Sequence, residues 1–164
     1  MRATSLWRAE PRPAGRAVVV DIDGVLSDAS TRQHFLNNPE GVRDWQGFFG
    51  TVGDDRPLVA VPALLHLLDP GITVILLSGR PGWVAERTRD WLERHGMRWD
   101  QLVVREGDDV MDPTAFKRDV VCSLRADGWE IVFAFDDNES IVQMFVDEDI
   151  PTLYVHSGYY TARV

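Results

Sequence analysis

Three stretches of the sequence end an apolar run in polar groups that are costly to bury without partners. In VVVDIDGV, Asp21 and Asp23 follow three valines, two positions apart, and Gly24 comes directly after them. In LLSGR the run ends in Ser78, Gly79 and Arg80, and in FDDN it ends in Asp136, Asp137 and Asn138. A carboxylate taken out of water needs a cation, hydrogen-bond donors or residual solvent. Two of them at one strand end make that demand locally. Gly24 would let the chain turn sharply or let a ligand approach the backbone. Taken alone, the first stretch also fits a strand followed by an ordinary Asp-Gly turn.

The elements around these stretches decide between the two readings. Val18 to Ile22 and Ile72 to Arg80 have the continuous apolar, β-branched character of strands covered on both faces. DQLVVRE, EIVFAFDDN and IPTLYVH supply three more strands. Between them lie helical patterns. VPALLHLLDPG places Val61, Leu64, Leu65 and Leu68 on one face and stops at Pro70-Gly71. After Pro81, residues Val84, Thr88, Trp91, Leu92 and His95 recur at helical spacing, and Gly96 caps the run. PTAFKRDVVCSLRADG turns Phe116, Val120, Val121 and Leu124 inward, and ESIVQMFVDED forms a last helix whose VDED end is solvated. Alternating strands and helices predict an α/β, three-layer Rossmann-like fold with a central, mainly parallel sheet. Such sheets bind ligands beyond the carboxyl ends of their strands, where strand order reverses. All three polar clusters fall at such ends, so they are expected to converge on one rim.

The 164 residues are enough for one compact domain. MRATSLWRAEPRPAGRA has no secretion-type apolar stretch, and residues 1–15 read as a flexible polar tail before a domain at 16–164. A small insertion at about residues 27–57 holds two helix-like pieces, Thr31 to Asn37 and Val42 to Phe49. No apolar run is long enough to cross a membrane. The single cysteine, Cys122, fits a reducing, cytoplasmic setting and is expected to be buried beside Val120 and Val121. The four histidines show no metal-ligand spacing, and the six tryptophans are mostly core or cap candidates. A net charge of −9 sets the global field against a polyanionic partner, leaving only a local basic groove for one.

With those residues in place, the chain resembles the haloacid dehalogenase superfamily of aspartate-nucleophile phosphatases. DIDGV, LLSGR, Lys117 and FDDN correspond in order to that family's four motifs. The resemblance implies an Mg²⁺-dependent phosphomonoesterase with Asp21 as nucleophile. It makes Asp21, the Asp23 carbonyl, Asp136 and Asp137 the metal-binding set, with Asp137 the direct ligand of the last pair. Asp23 would exchange protons with the leaving group and then with water, while Ser78 and Lys117 would hold phosphoryl oxygens. Without the resemblance, Lys117 reads as a solvated helix lysine and Ser78-Gly79 as a strand-to-helix turn.

Substrate choice in this superfamily is often set by a cap. The short insertion between Asp23 and Ser78 predicts a small or absent one, hence an open site suited to bulky substrates. DW and GDDRPL in the insertion, SGRPGWVAERTRDWLERHGM and VVREGDD are similar to the phosphatase domain of polynucleotide kinase-phosphatases. That resemblance implies removal of 3′-phosphates from DNA or RNA ends, with Gly79, Arg80 and Arg105 contacting substrate and a separate kinase or ligase as partner. No G-x-x-x-x-G-K-[ST] phosphate loop occurs in these residues. The alternatives are a small-molecule phosphatase such as a nucleotidase and, in another class, a non-catalytic binding module on the same fold.

Overall fold

The valines of Arg16–Val20 form strand β2, and their alternation builds the molecule. Side chains of successive strand residues point to opposite faces. Val18 and Val20 therefore enter one apolar cluster with Val74, Leu76, Leu102 and Trp91. Ala17 and Val19 enter the other, with Ile75, Leu77, Phe116, Val121 and Phe145. Both faces of the sheet are thus covered, which is the three-layer α/β fold expected. The computed structural model describes residues 3–37, 41–107 and 111–160.

The main sheet contains β1 (Ala3–Trp7), β2, β5 (Thr73–Pro81), β6 (Gln101–Arg105), β7 (Glu130–Asp136) and β8 (Thr152–Tyr154), with the two-residue strands β3 (Ser27–Asp28) and β4 (Arg56–Pro57) paired apart from it. Its spatial order is β1-β6-β5-β2-β7-β8, and every pairing except β1 with β6 is parallel. Helices α2 (Ala60–Leu67) and α3 (Ala85–Arg94) contribute to the first cluster, and α4 (Pro113–Ala126) and α5 (Glu139–Asp147) to the second. The chain leaves β2 toward β5 and β6 on one side and returns to β7 and β8 on the other. The reversal lies at β2, so the carboxyl end of that strand opens onto the crevice such sheets offer to ligands.

The opening segment departs from the tail expected of it. Ala3–Trp7 is an edge strand antiparallel to β6. Leu6 packs on the first cluster, Ala3 and Trp7 on the second, and the Trp7 ring lies 6.3 Å from Trp129. Cys122 also departs from expectation: it is exposed on α4 although its neighbour Val121 is fully buried. On α2, Leu64 is 40% exposed while Val61 and Leu65 face the core. The helix at 85–94 buries Thr88, Trp91 and Leu92 as its spacing predicts, and Gly96 follows it with φ +61°.

The insertion between β3 and β4 carries a 3₁₀ segment at Ala29–Phe35 and the short helix α1 (Trp45–Gly50). Asp44 caps α1 by accepting from the Gly47 N–H. Residues 38–40 of the insertion, Asp108 and Asp109 of the VVREGDD stretch, and the last four residues lie outside the described set. No helix among the described residues is long and apolar enough to cross a membrane.

Candidate active site

β2 ends at Val20, and the Asp21 N–H continues its ladder by donating to the Phe135 carbonyl at 2.9 Å. The next residues leave the sheet, so the Asp21 and Asp23 side chains stand at its carboxyl edge. Gly24 makes the departure possible. Its φ is +82°, and a Cβ there would sit 2.1 Å from Asp137 Oδ2. The glycine therefore admits both the left-handed turn and the close approach of β2 to the segment after β7.

Lys117, on the first half of α4, reaches across to this edge. Asp112 caps that helix by accepting from the Thr114 and Ala115 N–H groups, and Pro113 occupies its first turn. The Lys117 ammonium donates to Asp21 Oδ1 at 2.8 Å and to Asp136 Oδ2 at 2.6 Å. Burial alone would lower its pKa, but the carboxylates of Asp136 and Asp21 outweigh that and raise it. Lys117 is therefore a buried, charged group bridging two strand ends, not a solvated helix lysine.

Asp21, Asp136 and Asp137 are all buried, and one ligand oxygen from each lies within 4.8 Å of the others. Both oxygens of Asp136 accept a hydrogen bond, Oδ2 from Lys117 and Oδ1 from the Asn138 N–H at 3.0 Å. Among the described residues, Asp137 Oδ2 is buried without a hydrogen-bond partner. Burial pushes the Asp137 carboxyl up to about 7, with Asp136 adding to the rise and a hydrogen bond from Ser157 opposing it. Asp21 is likewise raised well above its ordinary value, by burial first, while Lys117 pulls the other way. With all three carboxylates ionised, the site would carry two more negative charges than the one ammonium offsets, which is why burial raises Asp21 and Asp137 in the absence of a cation. That surplus, an all-oxygen donor set and one orphaned carboxylate oxygen fit a hard divalent cation. Asn138 caps α5 through the Ser140 N–H, so capping and an acidic centre coexist at the end of β7.

Asp23 has different company. Arg80 donates to both of its oxygens, at 2.6 and 3.2 Å, and Arg32 donates to Oδ1 at 2.6 Å. Burial would raise its pKa; the two guanidinium groups win and hold it well below the usual carboxylate range. Arg80 also donates to Ser27 and Thr88 and has no solvent exposure. It does not line the cavity above the site, so its expected place on the substrate is corrected to a place behind Asp23. Sequence reasoning missed Arg32 and Asp55. Arg32 makes a two-pronged contact with Asp55 at 2.8 and 2.7 Å and donates to the Phe48 carbonyl, tying the insertion to Asp23. Nothing in a surface-like STRQHF string marks that arginine as buried.

Ser78 and Gly79 sit where the register of β5 against β6 shifts, a strand irregularity rather than the turn expected. Such irregularities re-aim side chains. Ser78, Gly79 and Arg105 all line a cavity of about 1020 Å³ together with Asp21, Asp23, Lys117, Asp136 and Asp137. Gly79 lies against Arg105, whose guanidinium donates to the Met111 carbonyl at 2.6 Å and stands 5.3 Å from the Phe116 ring centre. The sequence-predicted residues thus meet at one rim, Arg80 alone being withdrawn from it. The cavity wall adds Arg43, Trp45 and Phe49 from the insertion and Trp83 from the turn after β5.

An acidic centre, a bridging lysine and a serine on the carboxyl rim of this doubly wound sheet define a haloacid dehalogenase-type hydrolase. The same fold recurs in a class C acid phosphatase from Bacillus anthracis (TM-score 0.63, 18% identity, 91% of this chain and 69% of that one). It recurs again in a haloacid dehalogenase-superfamily hydrolase from Geobacter sulfurreducens (TM-score 0.52, 14% identity, 89% of each chain). Residues 15–160 match the family described as the polynucleotide kinase PNKP phosphatase domain, and the chain belongs to that family. A chain of the Pnkp1/Rnl/Hen1 RNA repair complex superposes with a TM-score of 0.72 at 25% identity, over 92% of this chain and 45% of that one. A protein of Autographa californica nuclear polyhedrosis virus, named as a bifunctional polynucleotide kinase/RNA ligase, is 23% identical over 142 residues. The chain spans 19% of that protein's length and under half of the repair-complex chain.

Proposed function

We propose that this phosphatase is Mg²⁺-dependent, works through an aspartyl-phosphate on Asp21, and removes 3′-phosphates from nucleic-acid ends. The observation that carries the reading is the Lys117 bridge from Asp21 to Asp136, beside an Asp137 oxygen that has no hydrogen-bond partner among the described residues. Asp137, Asp21 and the Asp23 carbonyl would hold the ion, which supplies positive charge to neutralise the ester's oxygens. The Asp21 carboxylate oxygen attacks phosphorus, the ester P–O bond breaks, and the leaving oxygen takes a proton. Water then attacks the aspartyl-phosphate, giving inorganic phosphate and freeing the Asp21 carboxylate.

The surrounding residues divide the remaining work. Lys117 keeps Asp21 aligned in the free enzyme and offers its protons to a phosphoryl oxygen once substrate enters; Ser78 offers its hydroxyl to another. Asp23 is ionised in the free chain, which suits taking a proton from the attacking water. A doubly negative ester arriving beside it raises its proton affinity, which suits the earlier donation to the leaving oxygen. Arg80 and Arg32 orient that carboxylate throughout.

Membership of the polynucleotide kinase-phosphatase family and a cavity of about 1020 Å³, far larger than a phosphate, support a nucleic-acid end as substrate. A kinase or ligase acting on the same ends is the corresponding partner, and a cytoplasmic setting is in keeping with the single cysteine. The test is phosphate release with Mg²⁺ from a 3′-phosphorylated oligonucleotide, its 5′-phosphorylated counterpart and mononucleotides. The 3′ end is expected to be preferred and a chelator to abolish turnover. Preference for mononucleotides would move the assignment to a nucleotidase.

A further inference from the structure

Four of the six tryptophans are packed as sequence reasoning expects: Trp91, Trp99 and Trp129 are buried, and Trp7 packs on the second cluster. The other two are not. Trp45 is 47% exposed and Trp83 is 51% exposed, and both line the cavity that holds Asp21. Isolated exposed aromatics are common and need no explanation. Two indoles from different elements on the wall of the one cavity that holds the acidic centre are another matter.

Both rings are mounted on fixed parts. Trp45 lies against Phe49, 5.7 Å between centroids with planes 17° apart, and edge-on to Phe48 at 5.9 Å. Phe48 is itself buried and capped by the Arg32 guanidinium, 4.3 Å from its ring centre. Trp83 rides on the turn that begins at Gly82, where an added Cβ would come within 3.0 Å of the Arg105 carbonyl and Thr4 Oγ1. That turn is therefore held tightly on the sheet, two residues beyond Arg80. Arg43 stands 5.9 Å from the Trp45 ring and also lines the cavity.

We infer that Trp45 and Trp83 form a stacking platform for the nucleobase next to the scissile 3′-phosphate. The inference rests on the polynucleotide reading above and deepens it. A base offers a flat, neutral π-face to an indole, and the phosphates on either side of it suit the neighbouring Arg43 and Arg105. Stacking tolerates any base, so the platform would select for a nucleoside at the end without selecting its sequence. A sugar phosphate or other aliphatic ester has no such face.

The test compares a 3′-phosphorylated oligonucleotide with the same strand carrying an abasic 3′-terminal residue, on the wild type, Trp45→Ala, Trp83→Ala and Trp45→Phe. Base–aromatic stacking corresponds to roughly 5- to 150-fold per base. The wild type should therefore prefer the base-bearing end by about that factor in kcat/KM, through KM. Each alanine variant should lose much of the preference, and Trp45→Phe should retain part of it. Quenching of tryptophan fluorescence on binding the base-bearing strand should shrink in the same order. A preference that survives in both alanine variants, or is missing in the wild type, overturns the platform. A wild type inactive on either strand but active on mononucleotides or a phosphotyrosine peptide overturns the polynucleotide reading as well, so the two failures are distinct.

Discussion

Replacing Arg32 by methionine should be among the most damaging changes outside the acidic centre. The side chain is 2% exposed and donates twice to Asp55, once to Asp23 and once to the Phe48 carbonyl. Asp55 is 3% exposed, and among the described residues its carboxylate would retain Arg80, 3.6 Å away, as its cation. Removing one partner of a buried ion pair costs about 3–5 kcal/mol, because the other charge stays behind desolvated. The remaining Arg80 places Arg32→Met at the lower end, about 3 kcal/mol. For a chain of this size that lowers Tm by about 6–12 °C. Urea unfolding at neutral pH measures it, alongside Asp55→Asn and the double variant. The double variant should lose less than the two single losses added together, because it no longer strands a charge. A loss below about 1 kcal/mol, the range of exposed pairs, or strict additivity would show that Arg32 and Asp55 are not a coupled buried pair.

Two further outcomes follow from the same charges. In the metal-free protein Asp137 is pushed up to about 7 from an ordinary 3.8. The folded state then keeps a proton that the unfolded state releases, so stability falls as pH rises between about 4 and 7. Mg²⁺ should take over that compensation, and its effect on Tm should be larger at about pH 8 than at about pH 5; equal shifts would refute it. Separately, kcat/KM on a 3′-phosphorylated single strand should fall with salt at a log–log slope of roughly −0.7 per phosphate contacted. Arg43→Ala should flatten that slope, whereas a mononucleotide should show little dependence in either protein.

The strands that converge on the site were legible because continuous valine and isoleucine runs ending in acid have few other homes than a buried parallel strand. The alternation seen at β2, with Val18 and Val20 on one face and Ala17 and Val19 on the other, is the physical content of that pattern. Ala3–Trp7 escaped notice because an edge strand needs only one ladder, so five residues with three apolar side chains suffice. The place of Arg80 was misread for a related reason. Its position beside Ser78 and Gly79 is visible in the sequence, but the direction of its side chain depends on the shifted β5–β6 register and on Asp23, Ser27 and Thr88 closing around it. Arg32 and Asp55 lie 23 positions apart in an irregular insertion, where no periodicity links them. Lys117 was found only through family resemblance, since its reach to two strand ends is a tertiary fact.

In the proposed mechanism Asp21 carries the phosphoryl group between substrate and water. Acid quenching during turnover of a 3′-phosphorylated oligonucleotide with Mg²⁺, followed by peptide mass spectrometry, tests it directly. The predicted result is one phosphoryl group on the peptide containing Asp21, absent from Asp21→Asn, which should fold but release no phosphate. Turnover without any trapped phosphoryl group, together with phosphate release by Asp21→Asn near the wild-type rate, would contradict it.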